Sequence, residues 1–265
     1  LLNRKEELLM ATAGDIYTYI DELAPFCTAM SFDNPGLLVG DKNVQVTTVL
    51  LALDITPEVV QEAAEFGAQL IVSHHPVIFH PLKNLDTNSV PYLLASHSIA
   101  AICAHTNLDM APNGVNDCLA GRLRLQNVQP LKENPSSGLA EALFGETDRE
   151  YSPREFAEFV KKSLGCEGLR YTDGGRYITS AGLCGGGGAE YVYDAALAGC
   201  QAFVTGECKH NILVDAENLG ITLVAAGHFE TEDPVIPVLM QKLAERFPKI
   251  GFLRSQTAHG PVHYL

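Results

Sequence analysis

The sequence predicts an α/β fold with largely parallel sheets, and two observations carry that reading. Short apolar, β-branched runs alternate with segments of helical periodicity in βαβα order, the pattern of parallel strands joined by crossover helices. Of the 265 residues, 46% are apolar, enough for one large or two ordinary cores.

The elements follow in order. Ile16, Tyr19, Ile20 and Leu23 fall at helical spacing, and Pro25 closes this first helix. Residues 46–54 read as a strand, after which Thr56-Pro57 caps a helix that carries Val59, Val60, Ala63 and Ala64 and stops at Gly67. Residues 69–73 are the next strand, 89–97 a short helix, 99–104 a strand and 115–123 a helix. The text then turns polar from Gln129 to Gly138, a loop that marks the predicted domain boundary. A first α/β domain covers 10–130 and is completed by 247–265, the tail with His259 and His263 returning to it; a second α/β domain covers 131–246. Ser152-Pro153-Arg154-Glu155 is a capping box with Pro at N1, opening a helix that buries Phe156, Phe159 and Val160 and ends at Gly165. Strands at 177–184, 201–205 and 221–226 alternate with helices at 189–198 and 211–219; a last helix runs to about Arg246, and 250–253 is a closing strand.

Charge narrows the function classes. Asp plus Glu number 32 against 18 Lys plus Arg, a formal net charge of -14, which repels nucleic acid and anionic lipid as bulk partners. A local cationic site, such as bound metal, would still attract a small anionic substrate. Seven scattered Cys with no CxxC read as reduced thiols, and no apolar run approaches the roughly 20 residues of a membrane helix. With no leader pattern at its start, the chain is expected to be soluble and cytoplasmic. The opening Leu1-Leu2-Asn3-Arg4 lacks an initiator Met while Met10 precedes a clean helix pattern, so residues 1–9 are read as an upstream segment outside the fold.

Chemistry concentrates where strands end. His74-His75 sits in Ser73-His74-His75-Pro76-Val77-Ile78-Phe79, and two successive imidazoles at a buried strand's end are hard to explain by packing. Pro76 holds His75 in extended backbone. Successive side chains of an extended chain point to opposite sides, which predicts that the pair serves two ions, one each. Residues 105–109 and 228–232 repeat the design, and in α/β sheets such strand ends are where ligands bind. His74, His75, Asp109, His228 and Glu232 supply three imidazoles and two carboxylates, too many for one open zinc and suited to two ions bridged by a carboxylate. Glu232 lies four residues after His228, one helical turn, and is the predicted bridge.

At these residues the chain resembles the Nif-three-like dinuclear metal-centre family, whose members are known as GTP cyclohydrolase I type 2 homologues. The resemblance rests on Ser73 to Phe79 with Lys83, on His105-Thr106-Asn107-Leu108-Asp109 with Gly114-Val115-Asn116-Asp117, on Thr205-Gly206-Glu207, on Gly227-His228 to Glu232, and on Phe32-Asp33-Asn34-Pro35-Gly36-Leu37-Leu38-Val39-Gly40. It runs from about Gly14 to the C-terminus; family members usually carry Trp at the place of Phe32. The resemblance implies a Nif-three-like fold with a metal cleft between two α/β domains. It implies two divalent metal ions per subunit (Zn, Fe, Mn or Ni) on His74, His75, Asp109, His228 and a shared Glu232, and a homohexamer built as a trimer of dimers. For GTP it implies attack of hydroxide at C8 of the guanine, loss of formate and formation of 7,8-dihydroneopterin triphosphate. Phosphoester or amide hydrolysis suits a dinuclear site equally, and a non-catalytic metal-binding scaffold is the alternative of a different class.

The other polar candidates keep two readings. His105 is either an imidazole orienting a ligand or a core residue. In Thr205-Gly206-Glu207-Cys208-Lys209-His210, Glu207 and His210 are the candidates for proton transfer and Lys209 for a phosphate, against a plain solvated loop. Cys208 has no dedicated base. Cys184-Gly185-Gly186-Gly187-Gly188-Ala189 offers a phosphate cradle or, the favoured reading, a tight turn. His80, Lys83 and His97 read as solvated surface groups.

Overall fold

The computed structural model describes residues 11–265, so residues 1–9 and Met10 lie outside the described residues. In chain order the first elements are α1 (Ala13–Leu23), β1 (Gly36–Val39), β2 (Thr48–Ala52), α2 (Pro57–Glu65), β3 (Leu70–Ser73), α3 (Val90–Ser96), β4 (Ala100–Cys103) and α4 (Thr106–Met110). Next come α5 (Val115–Arg122), β5 (Gln126–Glu133), β6 (Ala140–Tyr151), α6 (Pro153–Leu164), β7 (Arg170–Tyr171), β8 (Ile178–Leu183) and α7 (Val192–Leu197). The chain finishes with β9 (Ala202–Thr205), α8 (His210–Asn218), β10 (Thr222–Ala225), α9 (His228–Glu232), α10 (Val235–Arg246) and β11 (Gly251–Arg254). No helix among the described residues is long and apolar enough to cross a membrane.

Two compact units result. One runs through Leu108 and takes up Ile236–Ala258; the other comprises Asp109–Val235 and His259–Leu265. The first unit holds a five-stranded sheet in the order β1-β4-β3-β2-β11, parallel except for the antiparallel edge β1. Leu50, Ala52, Ile71 and Ala101 turn one face of it onto Val59, Val60 and Ala63 of α2 and Leu94 of α3. Val49, Leu51, Leu70, Val72 and Ile102, which alternate with them, are also buried, so both faces are covered as a parallel sheet requires. Helix α2 starts where the sequence says it should: the Thr56 side chain accepts from Val59 N and Pro57 stands at N1.

The second unit holds a six-stranded mixed sheet, β5-β6-β8-β9-β10-β7, in which only β8-β9 and β9-β10 are parallel. Alternation sorts its side chains. Ala202 and Val204 pack with Phe156 and Val160 of α6 on one face, and Phe203 packs with Val192 of α7 and Ile212 and Ala216 of α8 on the other. The capping box of α6 is formed in both directions between Ser152 and Glu155, and Gly165 closes the helix at φ +74°, a left-handed conformation that favours glycine.

Residues 129–138, expected as a polar loop, instead finish β5 and turn into β6 as a hairpin. The physical reason is that β5 is an edge strand with almost every residue exposed, so it carries no apolar alternation, and an edge tolerates Pro130.

Candidate metal centre

In the first unit the site is built at the ends of three strands. Past Ser73 the chain leaves β3 in a bend, and the His74 and His75 backbone N–H groups both donate to the Leu53 carbonyl, at 3.2 and 3.0 Å. The two ring centroids lie 4.9 Å apart, at an angle of 46° between ring planes. His105 follows β4 and brings a third ring, 5.2 Å from His74 and 5.6 Å from His75. One ring nitrogen from each of the three lies within 4.8 Å of the others, a grouping able to hold a metal ion.

Each ring is held from behind. His74 Nδ1 lies 2.8 Å from the Ala104 carbonyl, His75 Nδ1 2.7 Å from Asp54 Oδ1, and His105 Nδ1 2.8 Å from Asp33 Oδ1. With Nδ1–H donating in the neutral ring, Nε2 carries the lone pair, which is how metal-binding histidines are usually oriented. Asp33 is the deepest of these supports, its side chain fully buried. Burial alone would raise its carboxyl, but hydrogen bonds from His105 and from Thr106 Oγ1 and N outweigh it and hold it down to about 2.

In the second unit the donors sit on α9 and α4. Gly227 at φ +102° ends the strand and lets α9 begin at His228, so the four-residue spacing becomes one turn, with His228 Nε2 and Glu232 Oε2 3.1 Å apart. Glu232 is buried, and one of its oxygens lies within 4.8 Å of one from Asp109, the fourth residue of α4. Glu207 stands behind His228, Oε1 to Nδ1 3.2 Å, and is largely exposed. Burial and the nearby carboxylates of Asp109, Glu232 and Glu141 push the Cys184 thiol well up, so this sulfur stays protonated beside the acidic donors.

The Gly185–Gly188 turn serves this group. Gly186 N–H donates to Thr231 Oγ1, the Gly186 carbonyl accepts from the Gly206 and Glu207 N–H groups, and Gly186 sits at φ +56°. A Cβ there would overlap the Glu232 carboxylate and come within 3.0 Å of His228 Nε2. The glycine thus keeps a space open beside two prospective ligands, and the imidazole and carboxylate set fits a borderline divalent ion.

The structure groups His74 and His75 with His105, and Glu232 with Asp109 and His228; Glu207 joins His228. His210 opens α8 with an exposed ring, and among the described residues its side chain makes no hydrogen bond or ion pair with these groups. His80, Lys83 and His97 are exposed. Sequence reasoning missed Asp33 and Asp54. Asp54 follows a strand just as the candidate ligands do, and Asp33 lies in the Phe32 to Gly40 stretch, so a signal of position existed for both.

A mixed α/β chain that clusters imidazoles and carboxylates at strand ends has the makings of a divalent-metal protein. The protein belongs to the Duf34/NIF3 (NGG1p interacting factor 3) family, whose profile matches residues 11–261. A relative from Clostridium perfringens, called GTP cyclohydrolase 1 type 2 homolog, is 32% identical over 261 residues, spanning 95% of this chain and 99% of its own. The crystal structure of a hypothetical protein from Staphylococcus aureus superposes with a TM-score of 0.90 at 30% identity, covering 97% of this chain and 100% of that one. A Bacillus cereus protein related to NIF3 shares the fold with a TM-score of 0.91 at 24% identity, covering 97% of this chain and 99% of that one.

Proposed function

We propose that this protein binds a pair of divalent metal ions through His74, His75, Asp109, His228 and Glu232, and that it is a metal-dependent hydrolase. The observation that carries the reading is the support at Nδ1: a carboxylate or carbonyl backs each imidazole, an arrangement that packing alone does not require. A bound pair of divalent ions supplies Lewis acidity and water of lowered pKa, which is what hydrolysis at neutral pH needs. Around it, Asp54 and Ala104 would orient the two adjacent histidines, Glu232 would be the ligand shared by both ions, and Glu207, at Nδ1 of His228, would move a proton.

The relatives' name makes GTP the first substrate to test, with formate and 7,8-dihydroneopterin triphosphate as products. One observation favours a non-catalytic metal-binding scaffold instead: the expected partner in proton transfer, His210, is exposed on α8 and among the described residues makes no hydrogen bond or ion pair with the donors. Protein reconstituted with Mn, Fe or Zn is expected to release formate from GTP. Turnover of a phosphodiester but not GTP would move the reading to phosphoester hydrolysis, and silence toward both with metal retained would support the scaffold. A homohexamer in the cytoplasm belongs to the same proposal, checked by light scattering and cell fractionation.

A further inference from the structure

We propose that Phe32 and Phe79 form a stacking platform for the planar heteroaromatic base of a small phosphorylated substrate, a purine nucleotide, beside the imidazole cluster of the first unit. This rests on the hydrolase reading above and names the chemical class that the same site would take.

The pair lies open where burial would be expected of it. Phe32 is 60% exposed and Phe79 37%, yet their ring centroids lie 6.4 Å apart at a tilt of 42°, within the range of about 4.5–7 Å at which aromatic rings interact. The exposed His80 ring adds an edge, 4.9 Å from Phe79 and steeply inclined to it at 83°. The Phe79 ring also lies 6.2 Å from that of His105, which in turn stands 5.2 and 5.6 Å from His74 and His75. An open aromatic surface thus borders the candidate donors.

Single exposed apolar side chains need no explanation; two rings fastened in the open do. The Met30 N–H donates to Thr106 Oγ1 and the Asp33 N–H to the Met30 carbonyl, both at 2.9 Å. The fully buried Asp33 carboxylate accepts from the Thr106 N–H and hydroxyl and meets His105 Nδ1, which anchors the turn that carries Phe32. Asn34 Nδ2 donates to the Ile78 carbonyl at 2.6 Å and ties that turn to the segment of Phe79. Bracing of this kind fixes the platform before a ligand arrives, so little ordering remains to be done on binding.

The occupant follows from size and charge. Two rings and an imidazole edge match one flat ring system, and every nucleotide base has a π face that stacks on an aromatic side chain. The net charge of -14 disfavours a nucleic-acid chain, whereas divalent ions at the site would draw a single phosphorylated ring compound. Leu82 and Leu85, exposed farther along the chain, make a second copy of this protein the competing occupant.

The test uses the full chain reconstituted with Zn(II) and titrated with GMP, AMP and ribose 5-phosphate, the last matching the others but for the base. Calorimetric affinity and the base-proton resonances are the readouts. At least one nucleotide is expected to bind about 5- to 150-fold tighter than ribose 5-phosphate, the worth of one base stacked on an aromatic ring, with its base protons shifted upfield. Phe32→Leu and Phe79→Leu are expected to remove most of that margin and the shift while ribose 5-phosphate affinity and metal content hold, and Phe32→Tyr to keep both. Circular dichroism checks that each variant folds. No margin for either nucleotide, or a margin that survives both leucine variants, overturns the proposal. So does light scattering that finds Phe32→Leu in a smaller assembly with the margin intact, which would make the pair a contact between copies. A chain that takes up no Zn(II) yet shows the phenylalanine-dependent margin would instead overturn the metal-binding reading and leave the platform standing.

Discussion

At the scale of residues, the organising device is an acceptor behind each imidazole. Asp33 gives it a pH signature. Its folded carboxyl sits at about 2, below the ordinary 3.8, so its contribution to stability is complete above about pH 4 and is lost as the pH falls toward 2. Denaturant unfolding of the metal-stripped protein is expected to lose on the order of 1–2 kcal/mol more across that window in the unaltered chain than in Asp33→Asn; parallel pH profiles would remove the role assigned to the pair. Gly186 is the second residue whose identity is dictated locally. Gly186→Ala is expected to displace the Glu232 carboxylate and cut metal affinity at least tenfold while costing about 1–3 kcal/mol in fold stability for the left-handed backbone, measured by equilibrium dialysis and thermal unfolding. His74 and His75 were legible as candidate ligands because no packing rule puts two imidazoles at a buried strand's end. Asp33 was not, because its meaning comes from His105, 72 residues away, and no local pattern encodes a tertiary hydrogen bond.

At the scale of elements, the helices that declare their caps are the ones the sequence reveals. Thr56-Pro57 and the Ser152–Glu155 box specify α2 and α6 through hydrogen bonds within three residues, and both form as read. The hairpin of β5 and β6 stayed hidden because an exposed edge strand has no apolar period. One element is fastened by a buried charge that the sequence does not advertise. Burial would raise the Glu62 carboxyl of α2, yet hydrogen bonds from Ser255, Gln256 and Thr257 hold it below its ordinary value, pinning the segment after β11 to that helix. Glu62→Ala leaves the buried Ser255 hydroxyl without its acceptor while the exposed Gln256 and Thr257 turn to water, and is expected to destabilise the fold by about 1–2 kcal/mol in denaturant unfolding, with metal stoichiometry unchanged. A change below about 0.5 kcal/mol would show that this fastening contributes little.

At the scale of the whole molecule, the chain joins two mixed sheets of different topology, each ending strands in turns that carry candidate ligands, under a net charge of -14. The α/β class was legible in the alternation of apolar runs, whereas the antiparallel half of the second sheet was not, because strand direction depends on connections rather than composition. Ions that bind only the folded chain must stabilise it, by about 2.7 kcal/mol for a site at one hundred times its dissociation constant. The measurement that bears most directly on function is therefore metal content after reconstitution, read by elemental analysis beside the melting temperature. Two divalent ions per chain with a raised melting temperature, falling to one in Glu232→Gln, is the expected result; a folded chain that takes up no ion from excess Zn(II) or Mn(II) and melts at the same temperature with and without them would contradict it.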